Sequence, residues 1–219
     1  MELSTLKSYR KIIPGATFLL FSIPAYQFFS NTVFGIVDIS KFTIEGLGAV
    51  LAFGVGTVFS NVKIRSLWTS NSHKKITENI KNKLLQNGLT RKVTEEKYEE
   101  IRSSCKLMHI FYYFVDKDMS LKEKAKLVRD NGLIWTSTAD IVILAFMFVV
   151  IYLLLIAFFG LETILVAAAI LISSIGLLSA LVLHPNAIAD QIELSNNQID
   201  YIVTHYKQEL EKKVNAIFD

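Results

Sequence analysis

The chain has 219 residues, 52% of them hydrophobic, and its 23 Lys and Arg against 20 Asp and Glu give a formal net charge of +3. The apolar residues come in blocks, which excludes an ordinary soluble domain whose apolar positions are spread along the chain to face one core. The lone Cys105 excludes an intramolecular disulfide.

Four stretches carry no charge: 26 residues between Lys11 and Asp38, 17 between Glu45 and Lys63, 21 between Asp140 and Glu162, and 21 between Glu162 and His184. A hydrocarbon core about 30 Å thick needs roughly 20 such residues per helix, with about 17 at the short end. The fold class expected is therefore an all-α integral membrane protein with four transmembrane helices and a cytoplasmic helical layer. Residues 1–63 hold an N-terminal segment and spans at 12–32 and 45–62; residues 64–138 form a cytoplasmic loop of three helices. Residues 139–184 hold spans at 140–160 and 163–183, and residues 185–219 form one long cytoplasmic helix. The first block is read as a retained span rather than a secretory signal, because it outruns the usual apolar core and shows no A-x-A-like site.

In chain order, span one carries Pro14 in its opening turn, where proline is tolerated, and Pro24 in its interior, where the missing N–H predicts a kink. Gln27 is placed near the outer interface. The segment NTVFGIVDISKFT and the turn Gly160-Leu161-Glu162-Thr163 are too small for a receptor of outside ligands. Twenty-two of the 23 basic residues then fall on one side, which the positive-inside rule assigns to the cytoplasm. Both termini are expected there, in the plasma (inner) membrane, with Trp68 and Trp135 at that interface.

Span two has a small residue at every fourth position, Gly48, Ala52, Gly56 and Ser60, with Gly54 besides. Each glycine costs about 1 kcal/mol of helix propensity, and close approach of helices in lipid is what repays it. Span four repeats the device with Ala168, Gly176 and Ala180, with Ala169 and Ser173 beside them. Such a face serves either packing within one bundle or contact between protomers of a homo-oligomer. Span three has large side chains nearly throughout, so much of it is expected to face lipid.

The central loop reads as a helix with Ile76, Ile80 and Leu84 buried and a stop at Gly88, then a helix capped by Thr94. In the second, Tyr98, Ile101, Cys105, Met108, Tyr112 and Val115 keep a three-four spacing that predicts one continuous seam. Ser120 and Glu123 form a capping-box pattern opening a third helix that stops near Asn131-Gly132. In the tail, Ile188, Ile192, Ser195, Ile199, Ile202 and Tyr206 predict a helix of about 45 Å. It is expected to pack on the loop helices of its own chain or on the same helix of a neighbour, with Asn196 or Asn197 setting register.

No Asp, Glu, Lys, Arg or His lies inside an expected bilayer core, which argues against an ion-coupled transporter. A pore remains compatible, lined by Thr57, Ser60, Ser173, Ser174 and Ser179. Neither G-x-S-x-G, a Walker loop, H-E-x-x-H nor a cysteine pair occurs. His205 and Glu209 are four apart without a third ligand, so no metal or cofactor is expected. Counted from Lys63, the loop carries a net +7, a surface for anionic lipid, nucleotide or RNA, or the signature of topology alone.

Arg102 and His109, in RSSCKLMH, resemble the R-x4-6-H motif of the HEPN ribonuclease superfamily. The resemblance covers eight residues. It implies a composite RNA-cleaving site on a dimer of helical bundles, with Arg102 holding phosphate and His109 acting as acid or base. The seven-residue spacing puts both on one face of a continuous helix.

The leading expectation is a non-enzymatic oligomeric membrane protein, a pore-forming or membrane-perturbing effector controlled through its cytoplasmic helices, where a ligand or protein partner binds. Its build resembles that of compact prokaryotic antiviral membrane effectors, an analogy of architecture. The alternatives are the membrane-anchored ribonuclease and a scaffold subunit of a larger membrane complex.

Overall fold

The computed structural model describes residues 3–30, 48–62 and 64–218. Among these the regular structure is entirely helical: α1 Leu3–Phe29, α2 Ala49–Asn61, α3 Ser66–Gly88, α4 Glu95–Ser103, α5 Lys106–Lys117, α6 Met119–Phe159, α7 Thr163–Leu178, a π-helical turn Ser179–Leu183, and α8 His184–Ala216. Three helices are long and apolar enough to cross a membrane: Ser4–Phe29, Met119–Phe159, and Thr163–Ala216 through the π turn. The expected second span is described only from residue 48, and its helix has 13 residues, a rise of about 20 Å. The segment NTVFGIVDISKFT and Lys41 lie outside the described residues.

The chain divides into two compact units, Met1–Thr69 with Leu133–Asn186, and Ser70–Gly132 with Ala187–Asp219. In the first, α1 and α2 touch through backbone. A Cβ on Gly15 would overlap the Ala52 carbonyl, and one on Gly56 would overlap the Lys11 carbonyl. Since 15 meets 52 and 11 meets 56, the helices run antiparallel. Ala52 and Gly56 of span two's small-residue face thus pack on α1 of the same chain, and their complement, Gly15, is a residue that the four-residue spacing did not single out. On α7, Gly176 faces the Ala145 methyl of α6, which a Cβ would approach to 2.7 Å.

Much of span three is exposed, as expected, but one stripe of it is buried. Leu144, Ala145, Phe148 and Tyr152 are at most 3% exposed and form the centre of this unit's core. Phe18 and Phe21 meet Phe148 edge-on at 5.1 and 5.8 Å. Other side chains of span three face out, Phe146 at 71% and Phe158 at 81% exposure. At its end Gly160 takes φ +91 and its amide bonds the Ile156 carbonyl, a left-handed cap that closes the short turn into α7.

The second unit buries Leu84, Leu107, Phe114, Leu121, Ile199 and Leu210 completely. α3 ends at Gly88 as expected, but without left-handed backbone; a Cβ there would press on Val214 at 2.6 Å. The expected seam helix is broken. α4 ends at Ser103, Ser104 is extended at ψ 166, and α5 starts at Lys106. Cys105 and Tyr112 are exposed, and the buried set after the break becomes Leu107, Ile110, Phe111, Phe114 and Val115. The break is held by Lys81, buried to 8% exposure, whose ammonium donates to the Arg102 and Ser103 carbonyls at 2.9 and 3.3 Å. A cation suits the negative end of α4.

The third loop helix does not stop at Asn131-Gly132: α6 runs through both. Its cap is not Ser120 but Asp118, whose carboxylate accepts from the Leu121 amide at 2.9 Å, while Glu123 pairs with Lys126. The Asn131 amide accounts for the missing stop by donating to the Ala187 carbonyl and to Gln191. The tail packs on its own chain, with Asn79 donating to Asn196 at 2.8 Å. Its buried stripe runs through Ala187, Gln191, Ser195 and Gln198 rather than Ile188 and Ile192, and the helix breaks at Tyr206 (φ −131, ψ 24).

Gly56→Ala is expected to lower stability by about 1–3 kcal/mol through overpacking, whereas Gly54→Ala, with nothing within 4 Å of its added methyl, is expected to hold or raise it. Thermal unfolding of both variants in detergent checks the contrast.

Candidate functional site

The densest set of polar side chains in the first unit lies at the polar ends of its helices. Asp140, 1% exposed, accepts from Arg65 Nε at 2.7 Å and from Arg65 Nη2 at 2.6 Å. Arg65 Nη2 also donates to the Arg10 carbonyl at 3.0 Å, so one guanidinium ties α1 and α6 to the segment before α3. The fork geometry of Arg matches a carboxylate bidentately, which makes such a pair tolerable where water is scarce. The sequence reading used Asp140 only as the edge of a span.

Two residues earlier on α6, and so on roughly the opposite side of the helix, Thr138 faces the π turn. Its hydroxyl shares a hydrogen bond with His184 Nδ1 at 3.1 Å and donates to the Trp135 carbonyl at 3.0 Å. Its carbonyl accepts from the Ser179 hydroxyl at 2.9 Å. His184 is 4% exposed, with the Trp68 ring 6.3 Å away. The wide turn has a local cause. Pro185 lacks the N–H that would bond the Leu181 carbonyl, and the His184 amide instead reaches back five residues to Ser179. Because the Ser179 hydroxyl bonds a carbonyl and not the imidazole, the three side chains tie helices together and do not form a nucleophile and base.

Deeper in the same unit, the Tyr152 hydroxyl, on a fully buried side chain, donates to the Phe21 carbonyl at 2.7 Å and accepts from the Ala25 amide at 3.0 Å. These two groups are the ones an unbroken α1 would join directly, one turn apart. Pro24 sits between them, and the phenol bridges the gap it opens. Neither Gln27 nor any span-one neighbour performs this role; the closing group comes from 127 residues away.

The expected pore hydroxyls do not converge within the chain. Thr57 and Ser174 bond carbonyls of their own helices, Phe53 and Ile170, and Ser179 is buried against Thr138. Ser173 lines a groove of about 610 Å³ together with Trp68, Phe146, Gly176, Leu177 and Ala180, walled almost wholly by apolar atoms. Of the small-residue positions, Ala52, Gly56, Ala168 and Gly176 are buried and Gly48, Ser60 and Ala180 half-buried.

In the second unit the break after Ser103 removes the two-turn register that put Arg102 and His109 on one face. The Arg102 guanidinium is occupied by Glu99 at 2.8 Å and Asn82 at 2.9 Å, and His109 is exposed. Glu209 pairs with Lys117 at 2.6 Å and accepts from Tyr113 at 2.8 Å, rather than joining His205, whose ring lies 4.3 Å from Tyr201. Among the described residues no three His, Cys, Asp or Glu cluster as metal ligands. Part of the loop's basic charge is paired, by Glu78 for Lys74, Asp200 for Lys83, Glu99 for Arg102 and Glu123 for Lys126.

Tyr152→Phe is expected to cost about 1–3 kcal/mol by leaving a buried amide and carbonyl unpaired. Asp140→Ala should cost about 3–5 kcal/mol, with part recovered by adding Arg65→Met; unfolding of purified protein in detergent reads both. At Asp118 the Tyr206 hydroxyl, at 2.7 Å, and the Leu121 amide hold the carboxyl below its usual range. A folded value below the unfolded one means that its contribution is complete above the unfolded value and is lost as pH falls through the folded one. The stability gap between wild type and Asp118→Asn should therefore close in acid. No protein-family model, curated protein or solved structure matches this chain, so what it does has to be read from these residues.

Proposed function

We propose that this chain is a four-span protein of the plasma (inner) membrane, with both termini and the second unit cytoplasmic, that works without catalysis as an oligomeric effector. Ligand or partner binding at the cytoplasmic helices alters the apolar bundle, and the output is a pore between protomers or local disruption of the bilayer. The observation that carries the non-catalytic part is where the titratable side chains go. Lys81, Arg102, Lys117, Asp118, Asp140 and Glu209 are each committed to bonds that hold helices together.

Large apolar side chains turned outward on α1, α2, α6 and α7, among them Leu20, Val50, Phe146 and Ile170 at 61–71% exposure, support the span assignment, because water would not tolerate so continuous an apolar surface. With the α1–α2 glycine face spent inside the chain, the groove beside Ser173 and Ala180 is the small-residue surface left for a second copy. A ribonuclease is the weaker reading, since Arg102 and His109 sit on two different helices.

Two measurements test this. Cys105 is the sole cysteine and is exposed, so a membrane-impermeant maleimide should label it in inverted vesicles and not in intact cells; the reverse pattern overturns the orientation. Light scattering with the detergent mass subtracted should give a defined oligomer that Ala180→Trp reduces to monomer. A wild-type monomer removes the oligomeric effector and leaves the scaffold subunit, which would co-purify with a partner.

A further inference from the structure

The buried pair at the polar end of the first unit is unbalanced. Arg65 takes both oxygens of Asp140 and also donates to the Arg10 carbonyl. The guanidinium of Arg10 lies close enough to that of Arg65 for the two charges to repel. Arg65 thus claims both oxygens of this carboxylate and leaves neither for Arg10. Arg10 is half-buried, and its Nε is shut off from solvent with no hydrogen-bond partner among the described residues. A donor stripped of water needs an acceptor, and none of the described residues supplies one to this Nε.

We propose that Arg10 is the anchor of a phosphate-binding site, one that takes the anionic phosphate of a phospholipid headgroup or of a soluble phosphate compound. The planar guanidinium presents a fork that matches phosphate oxygens bidentately. Asp140 is already neutralised by Arg65, so it offers an incoming anion little repulsion. Lys11, with its ammonium 5.3 Å from the Phe53 ring, adds positive charge one residue away. The site lies just before the apolar run of α1 begins at Ile12, the depth at which a lipid phosphate sits beside a spanning helix. It is separate from the basic central loop and does not depend on what the second unit binds.

The test uses full-length wild type, Arg10→Gln and Lys7→Gln, the last removing an equal charge from an exposed position on the same helix. Each protein is placed in nanodiscs of equal phosphatidylglycerol and phosphatidylcholine, and the lipid retained after extraction is measured by native mass spectrometry. Wild type should keep the anionic lipid in preference, Lys7→Gln should stay near wild type, and Arg10→Gln should lose about fivefold or more of the preference. In a second arm, inorganic phosphate at constant ionic strength is added to lipid-free protein in uncharged detergent. Stabilisation of wild type but not of Arg10→Gln there, without a lipid preference, assigns the site to a soluble phosphate. If Arg10→Gln does not fold, Arg10→Lys, which keeps the charge and drops the fork, replaces it in both arms. The proposal is overturned if the Arg10 variant matches wild type in both arms, or if Lys7→Gln loses as much as the Arg10 variant.

Discussion

Hydrocarbon offers no hydrogen bonds, so every polar group carried into the apolar unit has to find its partner inside the chain. Most features of that unit follow from this constraint. Pro24 interrupts α1, and the freed Phe21 carbonyl and Ala25 amide are joined through the Tyr152 hydroxyl. Pro185 interrupts the helix that leaves α7, and a π turn with the Ser179–Thr138–His184 set absorbs the interruption. Asp140 is buried, and Arg65 meets both its oxygens. Each partner comes from a different helix, so satisfying the polar groups is also what fixes how the helices pack.

The same economy explains the glycines. Helices in lipid gain little from apolar burial against one another, so contact must come from close approach. Gly15 and Gly56 bring α1 and α2 to backbone contact, and Gly176 brings α7 onto Ala145. In the second unit the solution is conventional. Leucine, isoleucine and phenylalanine fill a core, and the buried amides of Asn131 and Gln191 and the half-buried ones of Asn79 and Asn196 set the register of the long C-terminal helix.

This distribution bears on function. The residues that a motif search favoured, Arg102 and His109, stand on either side of a helix break held by Lys81. Arg10, whose buried Nε has no hydrogen-bond partner among the described residues, belongs to no motif. Among the described residues, polar side chains such as Lys81, Asp140 and Glu209 hold helices together.

The sequence by itself determined what depends on composition and local pattern. The charge-free blocks, the short turn at Gly160, the end of α3 at Gly88 and the burial of Ile76, Ile80 and Leu84 were legible because each rests on residues adjacent in the chain or one turn apart. Tertiary structure decided the rest. Ser103–Cys105 reads as continuous helix until Lys81 caps the carbonyls there, and Asn131-Gly132 reads as a stop until Ala187 and Gln191 take up the amide. The face that buries Gln191 and Gln198 instead of Ile188 and Ile192 is set by partners on other helices. So are the roles of Tyr152, Arg65 and Asp140, whose bonds cross 55 to 131 residues of chain. A periodicity registers which residues share a face, but a hydrogen bond between distant helices leaves no mark on either segment alone.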